Sequence, residues 1–227
     1  NTEPGYMPIG RRVIHDAHKH GKLTVAEVIQ KSSNIGSAKI ALDLPAEAMW
    51  SMFNDVGFGR LPKSGFPGEA SGRVRYYKTW KPIEQATMSY GHGISVSLMQ
   101  LARSYMIFAT DGEVKPITLL KRDGYPVSTL VLSSATARSM RDMLEMAVQK
   151  GGTAPLARVP GYRVAGKTGT AHKLEDGKYV AKRYISSFVG FAPVSDPRLV
   201  IAVMIDEPGG KNYYGGLVAA PVFSRVM

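Results

Sequence analysis

The sequence predicts an α+β fold: a helical subdomain packed beside an antiparallel β-sheet covered by helices, with a cleft between them. Three observations carry this. Apolar residues recur at helical spacing in the first half of the chain, from Thr24 onward. Apolar β-prone runs then follow at Val164, Ile185 to Phe191 and Leu199 to Asp206, and a last helical stretch closes the chain. Helices first, then strands, then a helix is the order of segregated α+β packing. The expected organisation is one domain over 1–227, mainly helical over 1–110 and mainly sheet with flanking helices over 111–227.

The bulk numbers agree with a single core. The chain has 227 residues, 44% hydrophobic and 21% charged, a globular composition and not a disordered one. No run of 18 apolar residues occurs, and the opening Asn1-Thr2-Glu3-Pro4-Gly5 lacks both an initiating Met and a signal peptide. The sequence is therefore expected to be a fragment. Zero cysteines exclude disulfides and thiolate sites. The net charge of +11 permits attraction to anionic lipid or wall polymer. The most basic stretch, Arg73 to Lys81, interleaves aromatics with cations as single-strand binders do, but no zinc-knuckle or RNP signature accompanies it. It reads as a basic loop, and no nucleic-acid partner is expected.

Residues 1–22 read as loop, punctuated by Pro4, Gly5, Pro8, Gly10 and Gly21. The His15-Asp16-Ala17-His18-Lys19-His20 run has no matching ligand cluster downstream, so it reads as a solvated turn and no metal is expected. Thr24 and Glu27 form a capping box for a helix ending near Lys31. A second helix resumes near Ile35, with Gly36 allowing a close approach. Pro45 to about Val56 is the third, with Met49, Met52 and Phe53 buried. Gly57 to Pro82 has no periodicity, and a loop of that length tends to be functional. Ser97 with Gln100 caps a helix to about Thr110, with Leu98, Leu101, Tyr105 and Phe108 inward. Gly91-His92-Gly93 before it lacks the strand and third glycine of a dinucleotide fingerprint, so His92 is a turn residue and no cofactor is expected. Ile117 to Leu120 and Ser128 to Val131 read as short strands around Asp123-Gly124. Ser133 or Ser134 opens a helix with Met140, Met143, Leu144 and Ala147 on one face, closed by Gly151. The strands near Val164, Ile185 and Leu199 form an antiparallel meander, and Ala219 to Met227 is the last helix.

Two short stretches carry chemistry. Lys167-Thr168-Gly169-Thr170 offers an ammonium, two hydroxyls and backbone amides to a carboxylate or an oxyanion. On a regular strand Lys167 and Gly169 share one face, Thr168 and Thr170 the other. Ser32-Ser33-Asn34 joins two helices and can present a hydroxyl and an amide to a cleft. Taken alone, either reads equally as a connector or a Gly-rich turn.

Ser-x-Asn followed by Lys-Thr-Gly resembles the penicillin-binding proteins, serine acyltransferases related to serine β-lactamases, whose signature set is S-x-x-K, S-D-N and K-T-G. Phe66-Pro67-Gly68-Glu69, Met88-Ser89-Tyr90-Gly91, Tyr213-Tyr214-Gly215-Gly216 and Ala220-Pro221-Val222-Phe223 are similar to the class B cell-division transpeptidases of Gram-negative bacteria. The resemblance implies a β-lactamase/transpeptidase-like fold and a peptidoglycan D,D-transpeptidase that cross-links stem peptides ending in D-Ala-D-Ala and is inhibited covalently by β-lactams. It gives Lys167 the role of cleft cation, and Thr168, Gly169 and Thr170 the substrate, with the Thr170 N–H as an oxyanion donor. Ser32 relays a proton to the leaving amine, Asn34 grips the substrate amide and orients the catalytic lysine, and Ser33 has no role. It also implies a catalytic domain on the periplasmic side of the inner membrane, with divisome partners including a septal glycosyltransferase. No serine in the sequence has a lysine three residues on; Ser37-Ala38-Lys39 is one residue short. The nucleophile is therefore expected ahead of Asn1. The alternatives are a hydrolytic relative, a carboxypeptidase or β-lactamase, and a non-catalytic domain binding peptidoglycan or divisome proteins through the same cleft. Whether His172 touches ligand or solvent stays open.

Overall fold

The computed structural model describes residues 1–121, 123–124, 126–175 and 177–227. Its architecture is α+β, as expected. The first difference comes at the start. Residues 1–22 are not only loop, because β1 (Tyr6–Ile9) and β2 (Arg12–His15) form an antiparallel hairpin turning through Gly10 at φ 58°. Pro8 conceals it in the sequence, yet a two-stranded ribbon is all edge, where a missing donor is tolerated. Burial of Ile14 against Ile35, Ala38 and Ala86 holds the hairpin to the helices.

Helix α1 (Val25–Lys31) begins with the expected capping box, Thr24 Oγ1 accepting from the Glu27 N–H and Glu27 Oε2 from the Thr24 N–H at 2.8 Å. Helix α2 (Asn34–Leu42) follows after two residues. Gly36 is needed there, since a Cβ would lie 2.5 Å from Val28 Cγ2 on α1. Helix α3 (Ala46–Asp55) has no buried residue; Met49, Met52 and Phe53 are only half-buried, because the helix lies at the periphery. From Gly57 to Lys81 the only helix or strand is a 3-10 turn, Tyr77–Thr79. The aromatics of the basic stretch pack among themselves and against α3, with Tyr76 5.3 Å and Tyr77 5.7 Å from Trp50. Helix α4 (Pro82–Met88) went unpredicted because Pro82 reads as the end of a loop, whereas here it occupies the first helical turn.

Helix α5 (Leu98–Ala109) has its capping box; Leu98 is exposed and Gln100, Ser104 and Ile107 are buried, while Tyr105 and Phe108 pack half-buried against the core as expected. Gln100 is buried because its amide donates to the carbonyls of Gly57, Arg60 and Ser71 at 2.8–3.0 Å, tying down the long loop. Strands β3 (Glu113–Val114) and β4 (Thr129–Leu130) pair, so the partner of the 128–131 run is not Ile117 to Leu120. Two-residue strands are too short to show alternation. Helix α6 (Ser134–Val148) is capped by Ser133 and buries Leu144 and Ala147, while Met140 and Met143 are half-buried.

The sheet is the expected meander. β5 (Ala165–Glu175), β6 (Lys178–Ala192) and β7 (Leu199–Asp206) are antiparallel in the order β5-β6-β7, Lys167 opposite Val189 and Val189 opposite Ala202. Gly166 is required because Phe188 lies beneath it, 2.5 Å from where a Cβ would stand. The closing helix starts earlier than expected, as a short α7 (Gly215–Val218) followed by α8 (Ala220–Val226) with Pro221 in its first turn. Phe188, Phe223, Val148 and Val164 form one core. A second, built on Leu144, Ala165, Phe191 and Val194, takes in Ile29 and Tyr105 and so joins helices to sheet. Among the described residues no helix is long and apolar enough to cross a membrane.

Candidate active site

A cleft of about 500 Å³ lies between the α1–α2 junction and the β5 strand. Ser32 and Asn34 line it from the helical side, Thr168 and Thr170 from the sheet, and Tyr214 to Leu217 from the segment before α8. Two motifs more than 130 residues apart therefore meet. The contact is direct: Lys167 Nζ donates to Ser32 Oγ at 2.8 Å and to the Thr168 carbonyl at 3.3 Å. Gly169 lines no part of the cleft; it lets the strand lie against Ser187, whose Oγ would be 2.5 Å from an added Cβ.

The turn that presents Ser32 is strained. Ser32 closes α1 in the left-handed region, at φ 57° and ψ 48°, a conformation that costs a non-glycine residue roughly 1–2 kcal/mol. Ser33 is not an idle connector. It is buried, its Oγ accepts from the Gly36 N–H at 2.9 Å to cap α2, and it donates to Asp16 Oδ2 at 2.7 Å. Asn34 Nδ2 donates to the His15 carbonyl at 2.9 Å, which leaves Oδ1 as the acceptor of that side chain.

On the sheet side the hydroxyls are held in place. Thr170 Oγ1 accepts from the Gly215 N–H at 3.0 Å, so its own proton is available to a ligand. Thr168 Oγ1 lies 3.1 Å from Thr153 Oγ1. Gly215 and Gly216 let the following segment settle onto the strands: a Cβ at Gly215 would meet the Ser187 carbonyl at 2.3 Å, and one at Gly216 the Thr153 carbonyl at 2.1 Å.

Electrostatics favour an anionic ligand. Burial pushes the Lys167 ammonium down to about 8, and among the described residues no carboxylate pairs with it. The described lining carries Lys31, His18 and His20 but no Asp or Glu. Three hydroxyls beside an incompletely solvated ammonium can hold a carboxylate, and the Lys167–Ser32 pair can pass a proton.

Several lining residues escaped the sequence reading. Gly151 reads as a helix stop, yet Gly151, Gly152 and Thr153 form a wall of the cleft, Lys31 Nζ donating to the Gly151 carbonyl at 2.8 Å. His18 and His20 border the cleft and are not merely a solvated turn. His172 packs at a tilt against Tyr184 at 4.6 Å, Tyr184 stacks on Tyr213 at 4.0 Å and Tyr213 on Tyr214 at 4.5 Å, so His172 begins an aromatic row that ends at the cleft. His92 sits between Tyr90 and Tyr179, 5.5 Å from each, and burial, then the nearby His172, lowers its pKa.

The family model for the penicillin-binding protein transpeptidase domain matches residues 2–227. A relative from Neisseria flavescens, named "Probable peptidoglycan D,D-transpeptidase PenA", is 42% identical over all of this chain and 56% of its own length. The peptidoglycan D,D-transpeptidase FtsI of Escherichia coli strain K12 is 39% identical, again over all of this chain, which spans 38% of that protein. Among solved structures, the apo transpeptidase domain of penicillin-binding protein 3 from Burkholderia pseudomallei superposes with a TM-score of 0.94 at 51% identity, covering 99% of this chain and 69% of that one. Penicillin-binding protein 3 of Mycobacterium tuberculosis, complexed with aztreonam, gives a TM-score of 0.90 at 33% identity, covering 98% and 55%.

Proposed function

Because the chain belongs to the penicillin-binding protein transpeptidase family, we propose that it forms the carboxylate- and oxyanion-binding part of a peptidoglycan D,D-transpeptidase. The observation that carries this is one cleft lined by Ser32, Thr168 and Thr170, with Lys167 bonded to Ser32 and no Asp or Glu among the described lining residues. Thr168 and Thr170 hold the terminal carboxylate of a D-Ala-D-Ala stem peptide, or of a β-lactam. Lys167 supplies the charge that draws it in. The Thr170 N–H donates to the oxyanion of the tetrahedral intermediate, a contribution worth about 10²–10³ in rate in enzymes of this type. Ser32, bonded to Lys167, delivers a proton to the leaving D-Ala nitrogen as the C–N bond breaks. Asn34 Oδ1 accepts from the substrate amide.

Acyl transfer also needs a serine nucleophile and its lysine base. No S-x-x-K stands in residues 1–227, so that pair is supplied from outside this sequence. The physiological acceptor is the amine of a second stem peptide. The setting is the periplasmic face of the inner membrane, among division proteins that include a septal glycosyltransferase. The basic surface is consistent with neighbouring anionic lipid and wall polymer.

The test is covalent labelling of the full-length protein by a fluorescent penicillin, read by intact mass. An increment of one β-lactam that is lost in Lys167→Ala is expected. Reversible binding without an adduct would replace catalysis with a peptidoglycan- or divisome-binding role. With a D-amino acid acceptor present, aminolysis of a thioester substrate outrunning hydrolysis separates transpeptidase from carboxypeptidase or β-lactamase.

A further inference from the structure

We propose that Asp16 is a positioning residue of this active site, its carboxylate fixing the Ser32–Asn34 turn so that Ser32 Oγ meets Lys167 Nζ. This rests on the transpeptidase reading above. Asp16 lies just past β2, inside the His15 to His20 stretch. Its two oxygens are both engaged. Oδ2 accepts from Ser33 Oγ at 2.7 Å and Oδ1 accepts from the Ile35 N–H at 2.9 Å.

The division of labour at Ser33 explains why a second group is present. An N-cap needs one side-chain acceptor, and Ser33 Oγ already serves as it for the Gly36 N–H. The hydroxyl's single proton is then directed at Asp16. The carboxylate thus grips the turn at the residue after Ser32 and again three residues after it, through a charge-assisted bond and a free helix N–H. Its negative charge at the start of α2 also complements the helix dipole.

Position is transmitted because the hairpin itself is anchored. Ile14 is buried against Ile35 and Ala38, the His15 carbonyl takes the Asn34 amide, and the Asp16 N–H donates to the Gly5 carbonyl at 3.2 Å. Ser32 sits in a backbone region that serine leaves readily unless its neighbours are held. Releasing Ser33 lets the Ser32 peptide relax and lengthens the 2.8 Å contact with Lys167. Binding through Thr168 and Thr170, on the opposite wall, stays intact.

The test separates the non-covalent and acylation steps of full-length protein with a fluorescent penicillin by stopped flow. For Asp16→Asn, nearly isosteric but uncharged, the acylation rate constant is expected to fall about 10-fold, with the dissociation constant of the initial complex within about two-fold. Ser33→Ala, which removes the other end of the bond, should lower the same constant in the same direction. An Asp16→Asn protein that acylates at the wild-type rate overturns the proposal, as does a loss confined to initial binding. Should Asp16→Asn fail to fold, Ser33→Ala decides by the same criterion. Wild-type protein that never acylates overturns the transpeptidase reading itself, a result distinct from both.

Discussion

The half-buried ammonium of Lys167 makes a quantitative prediction about pH. Lys167 is pushed from 10.5 to about 8 by burial, and among the described residues no carboxylate pairs with it to restore the charge. If the charged form is what draws in a substrate carboxylate, roughly 0.9 of the sites are competent at about pH 7 and roughly 0.1 at about pH 9. An ordinary lysine would remain almost fully charged at both. The second-order rate of acylation by penicillin should therefore fall about ten-fold between those two pH values, with a midpoint near 8. Lys167→Arg, if it acylates at all, should shift that limb upward beyond about pH 10, because a guanidinium does not titrate there. Stability has the opposite dependence. The folded pKa is below the unfolded one, so between about 8 and 10.5 the unfolded chain binds more protons and stability rises with pH, by up to about 3 kcal/mol. Below about 8 both states are protonated and the penalty is constant. Stopped-flow acylation and urea titrations over the same pH series would measure the two trends. A rate that stays flat to about pH 9.5, or an alkaline limb unmoved by Lys167→Arg, would refute the role given to this ammonium.

Two further perturbations address the walls around it. Thr170→Val removes both the donor to a ligand carboxylate and the acceptor of the Gly215 N–H, so β-lactam binding should weaken about 10-fold and stability fall by about 1–3 kcal/mol, checked by titration and chemical unfolding. Phe223→Ala empties the core beneath β5, where Phe223 is fully buried and meets Phe188 edge-on at 4.8 Å; a loss of about 3–5 kcal/mol in urea unfolding is expected, with the initial β-lactam contacts unchanged in kind.

What the sequence determined by itself is local in origin. Thr24 with Glu27, Ser97 with Gln100 and Ser133 mark helix starts because capping is chemistry between residues three apart. The runs at 185–191 and 199–206 are strands because they are apolar and bounded by Pro193 and Pro197. The two short motifs were legible as a family's motifs, and they do converge. Where local signals are weak or doubled, the fold departs from them. Pro8 hid a hairpin, Pro82 looked like the end of a loop when it begins a helix, and Leu98 promised an inward face that Gln100 takes instead. Gln100 is inside because three loop carbonyls need a donor, a demand set by residues 29 to 43 positions away.

The site was decided by tertiary structure for the same reason. Nothing near Ser33 in sequence announces that its hydroxyl will meet Asp16, or that Gly151 to Thr153 will wall the cleft beside Thr168. Those contacts exist because the hairpin docks Ile14 on α2 and because Gly215 and Gly216 allow the chain before α8 to lie directly on the strands. Sequence supplies the reactive groups and the local turns. The distance from Lys167 to Ser32, and the burial that tunes its charge, come only from packing two halves of the chain around one core.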